Sequence, residues 1–297
     1  MDKHIKVSKR GAAMKNNQTS LSAQGIAFFR AFESERPEDE RICFDPYARR
    51  MIGTGFYLLC KLFTGYGEAR APGVYGYLAA RTRYIDDYLQ ACLAEGIEQL
   101  VILGVGLDSR AYRFAALEKQ ARVFEVDLPA TLQFKMDKVK RIFAGQLPRH
   151  VTYVPIDFNS ETLQKLFDFD YSASKKTLFI WEGVVYYLES AAVDSTLEFV
   201  SSNAAKGSNI IFDYVYTSAL AEQKRGEIKR MQRYSRFTGE GLIFGIEEGK
   251  IGEFMAQRGF TDCVDANAVV FKRLYFTGKN QNRTIAATYA ITHAAVK

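Results

Sequence analysis

Val101-Ile-Leu-Gly-Val-Gly-Leu-Asp-Ser-Arg110 is the stretch that decides the fold. Its apolar start, Val101 to Gly104, reads as a short buried strand of a parallel sheet. The chain then turns on Gly104 and Gly106 toward a helix N-terminus. A glycine turn at the carboxyl end of a first strand lets a ligand come close to the backbone. A second run, Val123-Phe-Glu-Val-Asp127, ends in an acid about 20 residues on, which is ribose-binding spacing. Together the two point to a nucleoside-bearing ligand. Ser109 stands where a dinucleotide fingerprint has its third glycine. That glycine serves close packing beneath a pyrophosphate. Its absence favours adenosine cofactors without a pyrophosphate, of which S-adenosylmethionine is the commonest.

Further strands are expected near 151–155, 177–183 and 209–215, beside those near 100–105 and 122–127, with helices between most of them. Repeated βα units require a parallel sheet covered on both faces. Ile251 to Gly259 reads as a helix ended by Gly259. Phe260 to Val264 and Thr284 to His293 read as two last strands, joined by a turn around Gly278 to Asn282. The expected fold class is α/β, a Rossmann-like seven-stranded sheet, mostly parallel, closing in a C-terminal antiparallel hairpin.

Upstream, the spacing of Leu21, Ile26, Phe28, Phe29 and Phe32 predicts a helix capped by Ser20 or Ser22. Asp45 caps another, with Pro46 in its first turn. The glycine- and aromatic-rich segment from Met51 to Tyr77 reads as part of a helical cap over the sheet. Tyr216 to Lys250, with Tyr234, Phe237 and Phe244, has the length and character of a lid. The 297 residues therefore divide into a basic flexible tail, 1–19, and a single domain, 20–297. Its parts are the N-terminal cap 20–98, a cofactor-binding core 99–215, the lid 216–250, and a C-terminal helix and hairpin 251–297.

Composition excludes several classes. The apolar run from Met51 is cut at Lys61, too short to span a bilayer. The N-terminal basic residues precede no apolar core, so no secretory signal is read and a cytoplasmic protein is expected. Cys43, Cys60, Cys92 and Cys263 are far apart, as free thiols are. His4, His150 and His293 have no ligand spacing, so no metal is assigned. Much of the +6 net charge lies in the first fifteen residues, where five Lys or Arg face one Asp. A short basic tail is ordinarily a solvated end, and neither a nucleic-acid nor a membrane partner is expected.

Ligands of a doubly wound sheet lie beyond the carboxyl ends of its strands. Those ends carry Gly104 and Gly106, Asp127, Asp157-Phe158, and Glu182. Asp127 suits the ribose hydroxyls, Asp157 the adenine amino group with Phe158 against the ring, and Glu182 the methionine end or sulfonium. In the helical stretch Arg81-Thr-Arg-Tyr-Ile-Asp-Asp-Tyr-Leu89, Arg83 faces Asp86 and Asp87 as a surface pair. Arg81 has no partner at i+3 or i+4, and so reads as a free guanidinium able to grip a carboxylate.

The string Val-Ile-Leu-Gly-Val-Gly-Leu-Asp-Ser-Arg-Ala-Tyr-Arg113, with Phe124-Glu-Val-Asp-Leu-Pro129, resembles the leucine carboxyl methyltransferase family. The bacterial and polyketide-type O-methyltransferase branch is the nearest. Phe44-Asp-Pro46, Arg81-Thr-Arg83, Val154-Pro-Ile-Asp-Phe158, Trp181-Glu-Gly-Val-Val-Tyr-Tyr187 and Phe244-Gly-Ile246 agree with it in order. The resemblance implies a class I methyltransferase fold, and S-adenosyl-L-methionine held by Gly104, Gly106, Asp127 with neighbouring Leu128, Asp157, Phe158 and Glu182. It implies that Arg81 holds the methionine carboxylate near the methyl acceptor, and that Tyr186 or Tyr187 lies near the methyl. S-adenosyl-L-homocysteine would be the product. Phosphatase-methylating members carry an N-terminal Lys-Arg helix, where this chain has Leu21-Ser-Ala-Gln-Gly25. That favours a small-molecule acceptor, a carboxylate or acidic hydroxyl positioned by Arg81 and Tyr186, over a protein C-terminus. A non-catalytic cofactor-binding protein and an NAD-dependent oxidoreductase are the competing readings.

Overall fold

A computed structural model describes residues 21–158, 160–224 and 241–297. The basic tail, Ser20, and the Tyr234 and Phe237 portion of the expected lid lie outside the described residues. The sheet has seven strands: β1 (Gln99–Leu103), β2 (Arg122–Asp127), β3 (Val151–Pro155), β4 (Thr177–Trp181), β5 (Asn209–Val215), β6 (Phe260–Ala266) and β7 (Tyr289–Val296). Their order is β3-β2-β1-β4-β5-β7-β6. The first five are parallel, and β7 runs antiparallel to both β5 and β6. The chain leaves β1 in one direction to reach β2 and β3, and returns to the other side for β4 and β5. The crevice at that reversal is where open α/β sheets take their ligands.

All residues of β1, β4 and β5 are buried, which explains their continuous apolar runs. Val101, Leu103, Phe179, Trp181 and Phe212 share one core with Val193 and Leu197 of the helix Ser190–Asn203. Leu100, Ile102, Ile180 and Ile211 share the other with Tyr77, Ile85 and Leu89 of the helix Val74–Ala94. A third cluster joins Phe28, in the helix over 21–34, with Met51, Ile52, Tyr57 and Leu107. The helical cap is thereby packed onto the glycine turn itself. Asp45 caps as expected: its Oδ1 accepts from the amides of Tyr47 and Ala48, both at 3.0 Å.

One expected connection differs. β6 and β7 are antiparallel neighbours, but a helix, Ala268–Tyr275, and a short turn, Gly278–Asn280, stand between them. Asn267 caps that helix by accepting from Val269 and Val270, and Phe271 is fully buried beside Tyr77 and Tyr84. Val269, Val270 and Phe271 favour a strand by propensity, but the helix is what buries Phe271 while Val269 stays exposed. Residues 284–286 also leave the sheet. They lie against the start of the Val74–Ala94 helix, where Ala286 donates to the carbonyl of Gly73 at 2.9 Å, so β7 begins only at Tyr289.

Candidate active site

The strand register assembles the site. Ile102 is opposite Glu125 on β2 and Ile180 on β4, and Ile180 is opposite Ile211 on β5. Two residues further along each chain stand Gly104, Asp127, Glu182 and Asp213. Side chains two apart on a strand share a face, so these four positions form one row at the carboxyl edge. The row faces the Val74–Ala94 helix.

At the middle of the row the backbone is left-handed, with φ of 66° at Gly104 and 46° at Gly106. A Cβ on Gly104 would stand 2.3 Å from Val184 Cγ2, and one on Gly106 3.3 Å from Ala23 Cβ. Asp127 closes the turn. Its Oδ2 accepts from the Gly106 amide and its Oδ1 from the Leu128 amide, each at 2.7 Å. Each carboxylate oxygen keeps a second lone pair, so the hydrogen bonds that shape the turn leave Asp127 able to accept from a diol. The end of β3 is held alongside, because the Ile156 amide donates to the Asp127 carbonyl at 3.0 Å. Asp157 and Phe158 follow, with Phe158 packed against the core. Gly104→Ala is expected to weaken S-adenosylhomocysteine binding by about tenfold or more. Left-handed strain alone costs about 1–2 kcal/mol, and the Val184 contact adds to it. Titration calorimetry reads this directly, and unchanged affinity would remove the turn from the site.

Burial raises the Asp127 carboxyl from its ordinary 3.8, and the Gly106 and Leu128 amides offset this only in part. Asp127 therefore takes its proton at a higher pH than a free aspartate. A neutral carboxyl is a weaker acceptor than a carboxylate. Affinity for the adenosyl ligand should accordingly fall on acidification, with a midpoint above 3.8. In Asp127→Asn the affinity should be lower at neutral pH and should lose that step.

At the other end of the row lies a chain of buried ions. Arg81, 1% exposed, donates from Nη1 to Asp213 Oδ2 at 2.6 Å, and its Nε is 2.9 Å from Glu182 Oε1. Glu182 Oε2 accepts from Arg110 Nη1 at 2.5 Å. Arg110 also grips Asp108 and donates from Nε to Asp86, which in turn holds Arg113. In this connected cluster four carboxylates face three guanidiniums, an excess of one negative charge. Glu182 Oε1 and Arg81 Nε are both buried without an aligned hydrogen bond. They are the kind of atoms that a zwitterionic ligand end satisfies. Tyr186 Oη lies 3.5 Å from Arg81 Nη1. Burial, then the charge of Asp213, raises the Tyr186 phenol well above its ordinary value, so it accepts from Arg81 and keeps its own proton.

Arg81 is therefore not the free guanidinium that helix spacing suggests. Its partners come from β5 and from the end of β4, which no i+3 or i+4 rule on one helix can see. Asp86 is likewise no surface partner of Arg83. It is buried on Arg110 and Arg113, and Arg83 pairs with Asp87 alone of the two. Sequence reasoning missed Asp213 and assigned no role to Asp108 or Arg110, although both stand in the decisive stretch. An acid amid Ile210-Ile-Phe-Asp-Tyr-Val215 was the available signal. His150 lies just before β3, at the opposite end of the strands, with Nε2 2.8 Å from the Ala111 carbonyl. A surface cavity of about 280 Å³ beside Phe29, Phe32, Tyr75 and Arg283 contains none of the row's residues.

The model of the family described as leucine carboxyl methyltransferase matches residues 23–201. A protein of Mycolicibacterium smegmatis is 31% identical over 254 residues, covering 80% of this chain and 82% of its own. One of Bacillus subtilis is 30% identical over 220 residues, covering 73% and 72%. Both are provisionally named S-adenosyl-L-methionine-dependent methyltransferases. A solved Thermobifida fusca structure, provisionally named a methyltransferase, aligns with a TM-score of 0.56 at 14% identity, over 80% of this chain and 88% of its own. At that identity the likeness is one of fold.

Proposed function

Because the chain belongs to the leucine carboxyl methyltransferase family and is an S-adenosylmethionine-dependent methyltransferase, we propose that it methylates an oxygen of a small molecule. The acceptor is a carboxylate or an acidic hydroxyl. The observation that carries this reading is the state of the groups around Arg81. Arg81 donates to Tyr186 Oη, which keeps its own proton to give, while Glu182 and Asp213 are tied in ion pairs. None of these is a base poised to deprotonate an acceptor. An oxygen that is already anionic at neutral pH needs none.

S-adenosylmethionine, when bound, supplies a methyl group on a sulfonium. The residues of the row fit that molecule. Gly104 and Gly106 open the backbone to it, Asp127 takes the ribose hydroxyls, and Asp157 with Phe158 takes the adenine. Arg81 holds the methionine carboxylate, and Glu182 faces the rest of the methionine end. The cluster's single excess negative charge matches a ligand with two cationic groups and one anionic group. Methyl transfer to an anion neutralises charge, so the protein's contribution is alignment and exclusion of water. Tyr186, held by Arg81, supplies the alignment by donating to the acceptor oxygen. Residues 21–25 begin the helix whose Ala23 touches Gly106, and they lack the lysine of the phosphatase-methylating members.

The test uses S-adenosylmethionine labelled in the methyl group, with pools of aromatic carboxylic acids, of phenols acidic enough to be ionised at neutral pH, and of amines. Label released by mild alkali marks a carboxyl ester, and alkali-stable label from the phenol pool marks an ether. Either supports the reading, and transfer confined to amines contradicts it. With the acceptor in hand, Tyr186→Phe should lower kcat on the order of a hundredfold, the scale of a lost orienting donor. S-adenosylhomocysteine affinity should be nearly unchanged. A parallel loss of both would make Tyr186 a binding residue instead.

A further inference from the structure

Asp213 is fully buried in the middle of a strand otherwise made of core residues. A carboxylate there carries a desolvation cost that an apolar side chain of similar volume would avoid, so the fold alone gives no reason for it. Its contacts do. Oδ1 accepts from the Gly183 amide at 2.6 Å. Oδ2 accepts from Arg81 Nη1 at 2.6 Å and from Tyr77 Oη at 3.2 Å. Tyr77 is itself fixed by stacking on Tyr289, with centroids 4.7 Å apart.

These contacts fix two things at once. Arg81 is a long side chain with much rotamer freedom to lose, and Asp213 and Tyr77 together hold it to one arrangement. Gly183 has a φ of 75°, and its amide follows directly on Glu182, so the same carboxylate fixes the peptide that carries Glu182. We propose that Asp213 is a positioning residue. It sets the spacing between Arg81 and Glu182, and so confers affinity for the amino-acid end of the cofactor and not for its adenosine end. The inference rests on the reading of Arg81 as the grip for the methionine carboxylate.

The test compares two probes by calorimetry: S-adenosylhomocysteine and 5′-methylthioadenosine, which keeps the adenosine and sulfur but has no amino-acid end. In Asp213→Asn, S-adenosylhomocysteine should bind about tenfold or more weakly, as expected for a lost charge-assisted grip. Methylthioadenosine should bind within about twofold of the parent, since its contacts are untouched. Equal weakening of both probes would make Asp213 a structural residue and overturn the proposal, as would no weakening of either. Arg81→Gln separates the two layers of argument. If it leaves the ratio of the two affinities unchanged, the methionine-carboxylate reading fails and takes this proposal with it. If it collapses the ratio and Asp213→Asn does not, the proposal about Asp213 fails alone. Should Asp213→Asn not fold, Tyr77→Phe serves in its place. Loss of one hydrogen bond to Asp213 should weaken S-adenosylhomocysteine selectively by about threefold, and an unchanged ratio overturns the proposal.

Discussion

Asp127→Ala is expected to weaken S-adenosylhomocysteine binding by about a hundredfold or more while the protein stays folded. Two losses add. The carboxylate is the proposed acceptor for the ribose diol, and a hydrogen bond to a charged group contributes about 1.5–3 kcal/mol. It also holds the amides of Gly106 and Leu128, so the turn loses its shape together with its ligand. Two such bonds at the lower bound already exceed a hundredfold in affinity. Stability should change little in comparison, because burial disfavours this carboxylate's charge and alanine removes that cost. Calorimetry and thermal unfolding on the same sample check both halves. Unchanged affinity would sink the assignment of the adenosine site.

Arg110→Met should have the opposite profile, with stability lost first. Arg110 is 1% exposed and serves Asp86, Asp108 and Glu182, and also donates to the Thr82 carbonyl. Removing one member of a buried ionic cluster leaves the others charged and unpaired, which costs about 3–5 kcal/mol. In a chain of this size that lowers Tm by on the order of 10 °C. The pH dependence gives the cause. Burial pushes the Asp108 and Glu182 carboxyls up, but the charge of Arg110, the largest opposing influence, holds both below the ordinary carboxylate range. With folded values below unfolded ones, their contribution is present at neutral pH and is lost only as pH falls below the ordinary 3.8 to 4.5. In Arg110→Met the burial effect is left less opposed, so both carboxyls rise. The deficit in Tm against the parent should then shrink on mild acidification, where those carboxyls accept protons. A deficit independent of pH would mean that Arg110 acts by packing alone.

The glycine turn, the acid of β2 and the parallel strands were legible because each is a local pattern. An apolar run, two glycines and an acid at fixed spacing need only neighbouring residues to be read. The order of the strands was not legible, because βα alternation with right-handed crossovers is satisfied by more than one order. The helix Ala268–Tyr275 was not legible, because Val269, Val270 and Phe271 favour a strand and only burial of Phe271 beside Tyr77 reverses that. The charge cluster was illegible for the same reason on a larger scale. Arg81 and Asp213 are 132 residues apart, and Arg110 and Glu182 are 72 apart. Helix spacing assigned Asp86 to the surface, where the nearest cation in sequence is Arg83. The fold instead turns Asp86 inward onto Arg110 and Arg113. Charges whose partners come from other elements are visible only as anomalies, such as an acid inside the apolar run of β5.

One row of residues at the carboxyl edge, Gly104, Asp127, Glu182 and the Arg81 that faces them, is proposed to hold an adenosyl cofactor without a pyrophosphate. Calorimetric titration of the intact protein with S-adenosylmethionine, S-adenosylhomocysteine and NADH tests it most directly. Saturable binding of the two adenosyl ligands and none of NADH is expected. Binding of NADH with no response to either adenosyl ligand would contradict it.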